Sequence, residues 1–307
     1  MGKNIMAKTV AETIKELTFR HLNKDKGVIM GQCLSAVGWV QNTIPPQKKG
    51  VIELQMTDTA GAGFAVGSAL AGARPIFVLR FQSFLWLNSS PIVMHAAKTK
   101  EMFGYGCPVF IRAIASEGFG SGPLHTNCYH SPFAHMPGLP ICAPMTPNEY
   151  KKIWKIFKKN DQPMLVSEHR TSYKSTIEFK DEINNNSKIT IFAISAGRFN
   201  VEKAKKILLN KKIVCDIFHI YWIKPFKIKK KYLDSLNKTK KGIVIDSTYE
   251  ICSASEHISY KLMNKSKSKI KALGMKDYSP GAGVKLKNMT PTSQQIAIFV
   301  QKFLKEK

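Results

Sequence analysis

Three short, mostly apolar runs constrain this chain most: Ile76–Leu79, 109–113 and 164–167. Each is four or five residues long. Continuous rather than alternating apolar character marks strands buried on both faces. Between them, 91–102 and 147–158 carry apolar residues at helical spacing, with Asn148 as the expected cap of the second. Strand–helix alternation of this kind predicts an α/β fold, a mainly parallel sheet covered on both faces. Ahead of these runs, Val10, Ile14, Leu17 and Leu22 mark an amphipathic helix, and 27–31 reads as a short strand ending in glycine. Residues 181–188 are polar and aperiodic, which suits a linker. A second α/β run follows, with strands at Ile189–Ile194, 213–218, 242–246 and 270–273 and helices at 201–209, 253–263 and 293–304. The expected domains are therefore 1–180 and 189–307.

A chain of 307 residues is long enough for two such domains, each with a sizeable core. No run reaches the ~18–20 apolar residues of a membrane span, and 1–10 has no apolar core after its lysines, so neither a span nor a secretory signal is expected. The six cysteines are widely spaced and form no CxxC. That predicts buried free thiols, a reducing cytoplasmic setting and no metal site. The net charge is +26. Its lysines recur between apolar residues, as on solvated helix faces and loops. Arginines, which read bases bidentately, are few. Charge alone supports non-specific nucleic-acid contact but no specific partner of that kind.

Residues 58–75 carry the densest signal. Asp58 heads a run rich in Gly and Ala, and Arg74-Pro75 then leads into the Ile76–Leu79 strand. The acid either faces a ligand or caps a helix. Gly61, Gly63 and Gly67 are spaced GxGxxxG, not the GxGxxG of a dinucleotide loop, and no clear strand precedes them. Close helix packing accounts better for these glycines. The segment 118–127 follows the strand at 109–113 and has three glycines in five residues, so its backbone can approach a ligand closely. His125 at its end reads either as a proton carrier or as a histidine bonded within a turn. Ser121 and Cys128 are the alternative nucleophiles beside it, although no Gly-x-Ser-x-Gly elbow is present. His130 and His135 follow at a spacing that suits no helix face, which favours structural roles.

In order, these motifs resemble the β subunit of the E1 component of 2-oxoacid dehydrogenases, within the transketolase-like class. The carriers are Asp58 through Gly67-Ser68-Ala69-Leu70-Ala71-Gly72-Ala73-Arg74-Pro75, the aromatics Phe81 and Phe84, and Ala96-Ala97-Lys98-Thr99. Gly104, Gly106 and Pro108-Val109-Phe110-Ile111-Arg112 continue the pattern. So do His125-Thr126-Asn127, where the family has His-Ser-Gln, and His135-Met136-Pro137-Gly138-Leu139. The resemblance is specific before residue 170 and extends to the end through a domain like the transketolase C-terminal one.

The resemblance implies a pyrimidine-binding domain followed by a smaller α/β domain, with thiamine diphosphate held between two subunits. A β-type chain supplies the pyrimidine side. An α-type E1 partner supplies the diphosphate and Mg²⁺ site, usually through Gly-Asp-Gly, which is absent here. An α2β2 heterotetramer is the implied assembly, with a lipoyl E2 protein as acyl acceptor if the enzyme is a dehydrogenase. The family's glutamate, which bonds the pyrimidine and promotes its reactive tautomer, corresponds to Asp58, one methylene shorter. Gln32 and Cys33 replace an acidic pair common in the family. Phe84 and Phe81 would lie against the cofactor, Gln32 beside it, and His125 on the substrate side. The expected function is decarboxylation of a 2-oxoacid or related carbonyl compound. The rivals are a split transketolase-like enzyme of a specialised pathway, such as sugar biosynthesis, and a non-catalytic partner or scaffold.

Overall fold

A computed structural model describes residues 7–25, 27–36, 40–117, 122–280 and 288–306. By contacts the chain divides into two units: Met1–Ser116 with Met136–Glu178, and Glu117–His135 with Phe179–Lys307.

The first unit carries β1 (Ile29–Gly31), β2 (Val51–Glu53), β3 (Ile76–Leu79), β4 (Phe110–Ala115), β5 (Ile141–Cys142) and β6 (Met164–His169). They run in the order β2-β1-β3-β4-β6-β5, and every pair is parallel. All residues of β3, β4 and β6 are buried, as continuous apolar runs require. Gly31 is glycine for a local reason: a Cβ there would lie 2.6 Å from the Val78 carbonyl oxygen. The helix Val10–Lys24 opens with a capping box between Thr9 and Glu12. Thr146, not Asn148, caps the helix Pro147–Lys159, because its hydroxyl reaches the Glu149 N–H. Arg74 serves the other end of that helix by donating to the carbonyls of Phe157 (2.8 Å) and Asn160 (2.7 Å). The single helix expected over 91–102 is two pieces. Pro91–Ala96 is a π-helical turn, in which the Ala97 N–H bonds the Ile92 carbonyl five residues back, and Thr99–Phe103 is α-helical.

The second unit carries β7 (Ile189–Ile194), β8 (Cys215–Ile220), a short β9 (Trp222–Lys224), β10 (Lys241–Tyr249) and β11 (Lys269–Met275). Four of these form a parallel sheet in the order β11-β10-β7-β8. Alternation along β7 supplies both faces. Ile189, Ile191 and Ala193 join Val201, Leu208, Val300 and Phe303 in one core. On β7, Phe192 instead stacks with Phe218 and meets the edge of Tyr232. Residues 181–188 are hydrogen-bonded to β8: Glu182 bridges Ile217, and the Asn184 N–H and Ser187 hydroxyl both donate to Asp216.

By contacts, Glu117–His135 groups with the second unit. Its bonds explain this: Thr290 donates to Glu117, Tyr249 to Asn127, and Ser131 pairs with Thr248. Cys107, Cys128, Cys142 and Cys215 are buried free thiols, but Cys252 is exposed and Cys33 half-buried. Among the described residues no helix is long and apolar enough to cross a membrane.

Candidate functional site

In open parallel sheets, ligands bind beyond the carboxyl ends of strands where the strand order reverses. In the first unit that point lies between β1 and β3. From β1 the chain reaches β2 on one side, then crosses to β3 on the other. Gln32 follows β1 directly, and Arg80 and Phe81 follow β3 directly.

Asp58 is the first residue of the helix Asp58–Leu70. The residue before it, Thr57, makes no side-chain cap. A carboxylate here sits in the positive end of the helix dipole. It is half-buried, and the Gln32 Nε2 donates to its Oδ1 at 3.3 Å. Gln32 is in turn positioned by its loop. Cys33 has a left-handed φ of 56°, unusual for a residue with a side chain. Glu53, at the end of β2, accepts from the Leu34 N–H (3.0 Å), the Ser35 N–H (3.0 Å) and the Ser35 hydroxyl (2.9 Å). Glu53 was not foreseen; an acid closing a strand at this end of the sheet was its only signal.

Phe81 and Phe84 meet edge to face at 5.8 Å. Phe81 is buried and Phe84 half-exposed. Two guanidinium groups lie over them: Arg170 is 4.9 Å from the Phe81 ring centre and Arg80 is 5.7 Å from that of Phe84. Burial and the neighbouring Arg80 charge lower the Arg170 pKa, with Tyr173 opposing. The Arg170 Nη2 also donates to the Arg80 carbonyl at 3.1 Å. Gln82 is locked behind them, its amide donating to Ala113 O (3.1 Å) and Ser167 Oγ (2.7 Å). Sequence reasoning missed both arginines, since neither lies in the aromatic motif itself.

Four of the expected site residues, Gln32, Asp58, Phe81 and Phe84, thus sit in the first unit around one end of its sheet. His125 belongs to the second unit and is half-buried. Gly118, Gly120 and Ser121 lie outside the described residues. His130 is fully buried and His135 exposed, so the three histidines do not share one environment.

The small residues of the Asp58–Leu70 helix divide. A Cβ on Gly61 would meet Leu54 at 3.3 Å, whereas Gly63 and Gly67 have no atom within 4 Å of that position. Phe64 on the same helix is 65% exposed. Within this chain the expected close packing holds only at Gly61.

Residues 9–176 match the family described as transketolase, pyrimidine binding domain, and residues 181–296 match transketolase, C-terminal domain. A pyruvate dehydrogenase E1 component subunit beta from Rickettsia felis is 26% identical over 211 residues, which is 64% of this chain and 64% of that protein. The beta subunit of acetoin:2,6-dichlorophenolindophenol oxidoreductase from Cupriavidus necator is 25% identical over 235 residues, 72% of this chain and 69% of that one. The chain thus spans about 64% of the length of the Rickettsia relative. Among solved structures, a split-gene transketolase described as an inactive β4 tetramer aligns with a TM-score of 0.74 and 14% identity. That alignment covers 97% of this chain and 98% of that one, and it shows a shared fold. The first match takes in more than half of the residues, and the chain belongs to the transketolase pyrimidine-binding domain family.

Proposed function

We propose that this chain is the β-type subunit of a thiamine diphosphate-dependent enzyme that acts on a 2-oxoacid or related carbonyl compound. Residues 1–180 are its pyrimidine-binding domain and 189–307 its transketolase C-terminal-like domain. The observation that carries the reading is the Gln32–Asp58 pair at the switch point of the sheet, in the same unit as the half-exposed ring of Phe84, which follows β3.

The residues present fit the pyrimidine end of the cofactor. An amide-held carboxylate at a helix N-terminus offers an acceptor for a ring nitrogen, and an aromatic face beside it offers stacking. When bound, the cofactor supplies a nucleophilic carbon and an electron sink for breaking the bond next to a carbonyl. Asp58 would bind the ring and exchange a proton at its carboxylate. Gln32 would orient Asp58, and Phe84, backed by Phe81, would hold the ring plane. Arg80 and Arg170 bring two positive charges to the same end, which suits an anionic substrate such as a 2-oxoacid. His125 would carry protons on the substrate side.

An α-type partner would complete the assembly and hold Mg²⁺ and the diphosphate. The exposed face bearing Gly63, Phe64 and Gly67 supports this, because small and apolar residues there await a neighbour that no described residue of the chain provides. The names of the beta-subunit relatives support it too. Acyl transfer to a lipoyl E2 protein follows for a dehydrogenase. The full-length likeness to a split-gene transketolase β chain favours a second reading, ketol transfer between sugars. Assay of the co-purified complex separates them. Turnover of a 2-oxoacid with an artificial electron acceptor supports the first reading, and turnover only of a ketose donor with an aldose acceptor supports the second. Asp58→Ala is expected to reduce either activity by about 10²–10⁴-fold; unchanged turnover would exclude both in favour of a scaffold.

A further inference from the structure

Outside the site above, the second unit contains a buried cluster of a thiol, an imidazole and a carboxylate. The Cys128 Sγ lies 3.2 Å from the Nδ1 of His130, and the His130 Nε2 lies 2.8 Å from the Oδ2 of Asp246. His130 and Asp246 are 0% exposed and Cys128 is 1% exposed. The carboxylate is further held by the Ser247 N–H at 2.7 Å and the Thr248 hydroxyl at 3.2 Å. A buried carboxylate needs a compensating charge, and only His130 of these groups can provide it. Burial alone would strip the imidazole of its proton. Asp246 and the Cys128 sulfur outweigh that and raise the His130 pKa to about 10.

Cys128 also lines a cavity of about 560 Å³, together with Tyr129, His135, Tyr249, Cys252 and Asp277. The buried cysteine therefore borders a space that can hold small molecules. The chain supplies its own comparison. Burial pushes the Cys107 thiol up to about 11, the Cys215 thiol to about 12 and the Cys142 thiol well up. Among the described residues those three make no bond to a histidine; the Cys107 and Cys142 thiols bond the carbonyls of Val66 and Leu165.

Nucleophile, base and orienting acid in hydrogen-bond contact beside a cavity are the arrangement that activates a thiol. We propose that Cys128, with His130 and Asp246, is a redox-modification site that reacts with small hydroperoxides. The Cys128 sulfur attacks one peroxide oxygen and an S–O bond forms as the O–O bond breaks. Sulfur is oxidised to the sulfenic acid. The leaving oxygen is reduced, takes the proton held by His130, and departs as water or an alcohol.

Oxidation has a local structural consequence. The segment around Cys128 is fastened to the end of β10 by three bonds. Tyr249 OH donates to Asn127 Oδ1 at 2.9 Å, the Ser131 and Thr248 hydroxyls pair at 2.9 Å, and His130 bonds Asp246. An oxygen added to the sulfur, with loss of the His130 proton, weakens the last of these and loosens 127–131. His125 lies three residues upstream on the same loop.

The test uses the full chain with Cys252→Ser, which removes the exposed thiol from the cavity. Limiting hydrogen peroxide is added at pH 7 with a sulfenic-acid trap, and each cysteine is quantified by peptide mass spectrometry. Cys128, the thiol in contact with an imidazole, is expected to label about a hundredfold faster than Cys107, the low end of what a positioned acid–base group contributes. Equal labelling of Cys128, Cys107, Cys142 and Cys215 would overturn the proposal without any further variant. The paired change His130→Gln with Asp246→Asn leaves no bare buried charge and should slow Cys128 to the rate of the other buried thiols. An undiminished rate in that variant would also overturn it. Hydrogen exchange of 122–131 should rise on oxidation; unchanged protection would remove the coupling to the loop. None of these readouts depends on the activity proposed above.

Discussion

Glu168 is the acceptor at the centre of a buried polar cluster in the first unit, and its removal gives a large, calculable effect. It is 1% exposed, and so is Arg112, which faces it from the neighbouring strand β4. The Arg112 Nε donates to Oε1 at 2.6 Å and the Nη2 to Oε2 at 2.9 Å, a bidentate pair. The hydroxyls of Tyr150 and Tyr173 donate to the same carboxylate. Burial first, and the Glu168 charge next, push both phenols well above their usual range, so both stay protonated donors. Glu168→Ala therefore leaves a buried guanidinium with only the Thr43 hydroxyl, at 2.9 Å. Breaking one side of a buried ion pair costs about 3–5 kcal/mol. Each stranded phenol adds up to about 1–3 kcal/mol, not additively. Against a total of about 5–15 kcal/mol this is a third or more of the stability. The double change Arg112→Met with Glu168→Leu removes both charges and should cost less than the single one. Urea unfolding in a Trp39→Phe, Trp222→Phe background makes tryptophan emission report the first unit, where Trp86 and Trp154 lie. A loss under about 1 kcal/mol for Glu168→Ala, or a double variant no better than the single one, would refute the reasoning.

The His130 proton makes stability depend on pH. Its folded pKa of about 10 lies above the unfolded value of 6.5, so the folded chain holds more protons between them. Stability is full below about 6.5 and falls by about 1.4 kcal/mol per pH unit as pH rises through the window. Unfolding of the Cys128→Ser chain from pH 7 to 9 isolates this, because it removes the thiol that contacts His130 and the other buried thiols contribute only above about 9; a flat profile there contradicts a charged His130. At the candidate site, Arg170→Ala should raise KM for a 2-oxoacid about ten- to a hundredfold, the worth of a hydrogen bond to a charged group. A change confined to kcat would show that Arg170 does not bind the substrate.

The strands were legible because burial on both faces makes them continuous apolar runs. Ile189–Ile194 begins and ends where its sequence suggests. Short elements escaped. β5 is two residues long, and Phe84–Leu87 is a single turn of helix, too brief for any period to register. The Thr146 cap was missed because Asn148 is as good a cap by type, and only the backbone geometry distinguishes them. Asp58 stood out in the sequence because it is the acid that opens a Gly/Ala-rich run. Arg80 and Arg170 were not, because residues 90 apart reveal nothing of their shared contact with Phe81 and Phe84. The pairing of His130 with Asp246 was invisible for the same reason, the two being 116 residues apart.

Calorimetric titration of thiamine diphosphate with Mg²⁺ into the complex of this chain with an α-type partner tests the central claim most directly. The complex should bind the cofactor. This chain alone should not, and Asp58→Ala in the complex should weaken binding by about 1.5–3 kcal/mol, or roughly ten- to 150-fold. Tight binding by the isolated chain, or unchanged affinity in the Asp58→Ala complex, would contradict the assignment of Asp58 and the two-subunit site.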